Sequence, residues 1–193
     1  MAETATPAPR TPAIADDAAL RAEVGGTALV TQGPATRLLL RGAAAADAAG
    51  AAFGVAIPTT PLRANVGGGR AALWLGPDEW LLLASAEDAA PARDALVRAL
   101  ADVPHGLFDV SHRQVGLAIE GPSAARTLAA GVALDLSADA FPVGACTRTV
   151  FEKAEIVLWR TDPGRFHVEV WRSFAPYLVE LLDVVRRQDA AAP

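Results

Sequence analysis

Residues 109–131 read DVSHRQVGLAIEGPSAARTLAAG, and the reading of this stretch decides the fold. Val115 to Ile119 reads as a strand, and Gly121-Pro122 then opens a helix whose stop is Gly131. Proline in a first helical turn loses no hydrogen bond that the helix needs, and glycine can leave a helix in the left-handed conformation. The same order occurs earlier in fainter form. Leu38-Leu39-Leu40-Arg41-Gly42 superposes on Leu117-Ala118-Ile119-Glu120-Gly121, with a strand at Thr36 to Leu40 and an alanine-rich helical stretch from Gly42 to about Gly50.

Working outward, both copies continue into a hairpin and a helix. In the first, Ala71 to Leu75 and Trp80 to Ala84 flank the turn Gly76-Pro77-Asp78-Glu79. A helix from about Glu87 to Leu100 follows, with Ser85 as its cap. In the second, strands at Arg148 to Phe151, Glu155 to Trp159 and Phe166 to Trp171 lead to a final helix capped by Ser173. Thr161-Asp162-Pro163-Gly164-Arg165 supplies the turn between the last two strands. Phe174, Tyr177, Leu178, Leu181, Leu182 and Val185 recur at three-and-four spacing as that helix's apolar stripe. Leu73-Trp74 pairs with Leu158-Trp159.

The fold expected is therefore α+β, a duplicated strand-helix-hairpin-helix unit in which one repeat covers the other. Its repeats run over about 27–103 and 109–189 within a compact domain at 23–189. Residues 1–22, with Pro7, Pro9 and Pro12 near the start, read as a flexible arm, and 190–193 as a flexible tail.

A chain of 193 residues that is 52% apolar can bury a sizeable core. Net charge is −5 with no basic stripe, which argues against nucleic acid as a partner. No apolar run has membrane-spanning length and the start lacks a secretory pattern, so a cytoplasmic protein is expected. Cys146 is the only cysteine and reads as a small buried hydrophobe.

Asp109, Ser111, His112 and Arg113 form the one dense polar cluster. Adjacent strand residues point to opposite faces, so a shared catalytic site is disfavoured and local loop fastening is the better reading. His105, His112 and His167 are far apart, and no metal-binding spacing is present. Gly67-Gly68-Gly69 lacks the ending of a phosphate loop and the spacing of a dinucleotide loop. Asp78 and Glu79, Arg113, and the pair Trp171-Arg172 are left as candidate subunit-interface residues; the remaining tryptophans read mostly as core.

DVSHR, LAIEGPSAARTLAAG, DLSADAFPVGACTRTVFEKAEIVLWR and FHVEVWRSFAPYL, with ALWLGPDEWLLL upstream, resemble the gamma-subunit family of heterotetrameric sarcosine oxidase, over much of residues 71 to 182. The resemblance implies the folate-binding aminomethyltransferase-like fold and a non-catalytic structural subunit, partnered by alpha, beta and delta and chiefly by alpha. It implies a complex that oxidatively demethylates sarcosine to glycine and hydrogen peroxide and passes the one-carbon unit to tetrahydrofolate. FAD, FMN, NAD and zinc are implied for the other subunits and none for this chain. An independent folate-dependent aminomethyl-transfer enzyme, or a folate-binding regulatory module, is the alternative that the shared fold implies.

Overall fold

The computed structural model describes residues 12–14 and 17–191; residues 1–11 of the expected arm, with 15, 16, 192 and 193, lie outside the described residues. In chain order the elements are α1 (Ala18–Arg21), β1 (Ala28–Thr31), β2 (Ala35–Arg41), α2 (Ala46–Phe53), β3 (Ala64–Gly67), β4 (Arg70–Gly76), β5 (Glu79–Ser85) and α3 (Ala89–Ala99). They continue with β6 (Gly106–Asp109), β7 (Gln114–Glu120), α4 (Ala124–Ala129), β8 (Cys146–Phe151), β9 (Ala154–Asp162), β10 (Arg165–Trp171) and α5 (Ala175–Ala191).

Two five-stranded antiparallel sheets result, ordered β3-β4-β5-β2-β6 and β8-β9-β10-β7-β1. Strand alternation dictates the layers. Leu38 and Leu40 of β2 pack with Phe53, Leu96 and Leu100 under α2 and α3. Phe166, Val168 and Val170 of β10 pack with Leu128, Leu178 and Leu182 under α4 and α5. Leu73, Leu81, Leu83, Cys146 and Val157 form a third apolar layer where the sheets meet face to face. The expected duplication thus holds, and each repeat covers the other.

Matching hydrogen bonds trace the repeat. Gly42 and Gly121 follow equivalent strands at φ 110° and 121°. Their amides donate to Asp78 O and Gly164 O, both at 2.9 Å. Only glycine takes that backbone readily, and a Cβ at either position would press into a carbonyl, that of Pro104 or of Gly26. At the junction of the sheets, Ala64 N donates to Gly144 O at 2.8 Å and Cys146 N to Leu62 O at 3.0 Å. These bonds straddle the Arg63–Ala145 bridge, so a local pseudo-twofold axis passes there.

The two outer strands β1 and β6 were not foreseen. Both are four residues long, too short to show a period. The exchange is reciprocal: β1, at the start of the first repeat, pairs with β7 of the second, and β6, at the entry to the second, pairs with β2 of the first. β3 was also missed, because Gly67-Gly68-Gly69 looked like a loop. Gly68 and Gly69, at φ 55° and 75°, instead make the two-residue turn of the β3–β4 hairpin.

Other expectations need correction. α2 continues through Gly50 and stops at Gly54, which takes the left-handed cap. Gly131 does not adopt positive φ; its missing side chain makes room for the Phe151 ring, 2.7 Å from where a Cβ would sit. Leu73 pairs with Leu81 and Trp159 with His167, at equivalent positions of their hairpins. Trp159, not Leu158, is therefore the counterpart of Leu73. The slip of one residue matters because it exchanges the faces of a strand. Residues 17–22, counted with the arm, carry α1, and Ala190 and Ala191, counted with the tail, extend α5. The wholly buried Arg186 guanidinium secures this end by donating to the carbonyls of Ala19, Leu20 and Ala22. No helix among the described residues is long and apolar enough to cross a membrane.

Candidate functional site

The polar cluster at 109–113 lies where the chain crosses from β6 in one sheet to β7 in the other. Asp109 accepts from Ser111 N at 2.9 Å, and Ser111 Oγ accepts from Arg37 N at 2.9 Å. The hydrogen bond from the Ser111 side chain holds the Asp109 carboxyl below its usual range. This is a fastened crossover. His112 is exposed and lies on a different surface feature, so no acid-base-nucleophile relay forms.

A buried ionic cluster between the sheets escaped the sequence reading. Arg37 Nε donates to Glu169 Oε2 at 2.5 Å, and His167 Nε2 lies 2.8 Å from Glu169 Oε1. Burial alone would push the Glu169 carboxyl up, but the hydrogen bond and charge of His167, with the Arg37 guanidinium, hold it below the usual range. His167 and Glu169 share a face because they stand two residues apart on β10. Arg37, in a leucine-rich strand of the other repeat, carried no local sign that it would reach them.

The five candidate interface residues are linked along one rim. Arg41 pairs with Asp78 at 3.1 Å and with Glu79 at 3.4 Å. Glu79 also pairs with Arg148 of the second repeat, leaving its side chain only 12% exposed. Arg148 lies 4.0 Å from Glu155, which accepts from Trp171 Nε1 at 3.3 Å. The Arg113 guanidinium sits 5.3 Å above the Trp171 ring, and Arg172 N donates to Arg113 O at 2.8 Å. Glu79 is thus largely committed to bridging the two halves, whereas Trp171 keeps 41% of its surface exposed.

At that end, His112, Arg113, Trp171, Arg172, Ser173 and Pro176, with Ala13, line an open cleft of about 580 Å³. Phe174 and Tyr177, expected on the buried stripe of α5, are 41% and 38% exposed. The helix turns Ala175, Leu178, Val179 and Leu182 inward, so the expected stripe holds at Leu178 and Leu182 and the buried face is rotated to take in Ala175 and Val179. The other tryptophans pack inside: Trp80 under the helices, its Nε1 donating to Pro58 O at 2.7 Å, and Trp74 and Trp159 against the layer between the sheets.

The Gly67–Gly69 segment lies in a hairpin, not in the strand-to-helix turn that cradles a dinucleotide. Burial pushes the Cys146 thiol up to about 12, so it stays protonated. Among the described residues no group of three His, Cys, Asp or Glu side chains is placed to hold a metal ion.

The sequence model of the family described as "Sarcosine oxidase, gamma subunit family" matches residues 40–192. Sarcosine oxidase subunit gamma of Corynebacterium sp. (strain U-96) is 35% identical, with 94% of this chain and 92% of that protein aligned. A chain of the heterotetrameric sarcosine oxidase from Corynebacterium sp. U-96, in complex with pyrrole 2-carboxylate, superposes with a TM-score of 0.84. That match is 31% identical over 91% of this chain and 93% of that one. Glycine cleavage system aminomethyltransferase T from Bartonella henselae superposes with a TM-score of 0.64 over 83% of this chain and 46% of that one; at 15% identity this is a likeness of fold. Sequence and backbone agree over nearly the whole length, and the chain belongs to the sarcosine oxidase gamma subunit family.

Proposed function

We propose that this chain is the non-catalytic structural gamma subunit of a heterotetrameric sarcosine oxidase. The complex oxidatively demethylates sarcosine to glycine and hydrogen peroxide and delivers the one-carbon unit to tetrahydrofolate. The near full-length match to a chain of the Corynebacterium heterotetramer carries this reading. Its polar groups support a structural role: Ser111 fastens a crossover, Glu169 is neutralised by two partners, and Cys146 is buried and protonated. FAD, FMN, NAD and zinc belong, on this reading, to the other subunits, as does the tetrahydrofolate site.

The partners are alpha, beta and delta, chiefly alpha, and the rim from Asp78 and Glu79 to Arg113, Trp171 and Arg172 is the proposed contact. Coexpression of the tagged chain with the other three subunits tests the reading. Copurification of all four is expected, with Arg172→Ala weakening recovery. A chain recovered only alone from cells making all four would refute the proposal. Saturable tetrahydrofolate binding and methylene transfer by the isolated chain would point instead to an aminomethyl-transfer enzyme, and binding without turnover to a regulatory module.

A further inference from the structure

Resting on the subunit reading above, we infer that the cleft beside Trp171 receives a carboxylate-bearing segment of a neighbouring subunit. The chain carries a net charge of −5, yet the cleft inverts that balance. Arg113, Arg172 and His112 line it, and among the described residues no Asp or Glu does. Arg113 lies over the Trp171 ring at 5.3 Å. A ring face attracts a guanidinium without accepting a conventional hydrogen bond, and the N–H fork of an arginine matches a planar carboxylate.

The surroundings favour a macromolecular carboxylate over a small free one. Trp171, Phe174 and Tyr177 lie within seven residues at the start of α5, each more than a third exposed. Aromatic surface beside an arginine is the composition of an interface hot spot, where a docked segment excludes water from the ion pair. The cleft is open, so a small carboxylate alone would leave that pair in solvent. Two arginines and a histidine in one recess also fall short of the stripe needed to follow a phosphate backbone.

The test uses the coexpressed complex. Lys153 is the chain's single lysine, so Arg113→Lys adds one side-chain amine in the cleft. A water-soluble carbodiimide joins amines to carboxylates in direct contact. We expect a cross-link from position 113 to an Asp, Glu or terminal carboxylate of another subunit, with no counterpart in the wild-type complex. Arg113→Glu lowers the chain's affinity for the other subunits about tenfold or more, and Arg113→Gln makes that affinity less sensitive to salt. An intact complex with no cross-link from position 113, or one only to this chain's own carboxylates such as Glu155, overturns the inference and leaves the subunit reading standing. Failure of the wild-type chain to copurify defeats both.

Discussion

The guanidinium of Arg37 lies against Gly116, the residue that occupies Arg37's own position in the second repeat. The alignment of Leu38 with Leu117 makes the two equivalent, and their carbonyls accept equivalent bonds, from Val110 N and Gln32 N, each at 2.9 Å. The duplication is therefore symmetric in backbone and asymmetric in charge: one copy supplies an arginine and the other the space for it. A Cβ on Gly116 would stand 3.1 Å from Arg37 Nη2, from the His167 ring and from the Gln32 side chain. Crowding of that kind costs about 1–3 kcal/mol. Gly116→Ala is expected to lose that much in denaturant unfolding, and Gly116→Val more. Equal stability of Gly116→Ala and wild type would show that the cluster has slack.

Glu169 makes this cluster sensitive to acid. Its folded-state pKa is depressed, so its stabilising contribution is fully present above the ordinary carboxylate value of about 4.3 and is lost as pH falls through the folded value. Glu169→Gln should flatten the decline of stability below about pH 4.3. At neutral pH it should cost about 3–5 kcal/mol, because Arg37 is left buried without its counter-charge. Arg37→Met combined with Glu169→Leu should regain most of the loss, since apolar groups of similar volume often replace a buried pair without penalty. Unfolding curves at a series of pH values check both; a variant as acid-sensitive as wild type would exclude Glu169 as the responsible group.

How far the sequence could be read depended on whether the deciding interaction was local. The strand from Phe166 to Trp171 and its preceding turn were legible because a period of two and a Pro-Gly turn are properties of neighbouring residues. The superposition at Gly42 and Gly121 was legible because both glycines answer one backbone demand. The β1–β6 exchange was not, since pairing across the two halves leaves no mark in a four-residue strand. Arg37 illustrates the same limit at the site: its partners lie in the other sheet. Among the candidate interface residues, Trp171 and Arg172 were singled out by residue type alone, whereas the commitment of Glu79 to Arg148 is a contact between repeats that no local pattern marks.

Cys146 provides a probe of opening at the junction of the sheets. It is wholly buried beside the pseudo-twofold axis, its thiol lies 3.5 Å from Trp74 O, and burial pushes its pKa up to about 12. Thiolate, the species that reacts with disulfide reagents, is therefore scarce at neutral pH as well as shielded. Ellman's reagent should leave the native chain unmodified over the time in which it reacts fully with the denatured chain. Gly116→Ala, by loosening the same layer, should accelerate the reaction. Rapid native labelling would mean that the sheets separate readily.

The strand exchange predicts which half suffers when β1 is weakened. Leu29 is wholly buried, and although β1 opens the first repeat, Leu29 packs with Leu117, Ile119 and Phe166 of the second. Leu29→Ala removes a core side chain and should cost about 2–5 kcal/mol. The loss should be directional. β1 forms a ladder with β7 from Ala28–Glu120 to Thr31–Leu117, so hydrogen exchange in the variant should rise first in β1 and β7. The β2–β6 ladder, from Leu38–Asp109 to Arg41–Gly106, should keep its protection until global unfolding. Peptide-resolved hydrogen exchange of the full chain distinguishes the two. Early loss of protection in β2, with β7 unchanged, would mean that β1 pairs within its own repeat and that no exchange occurs.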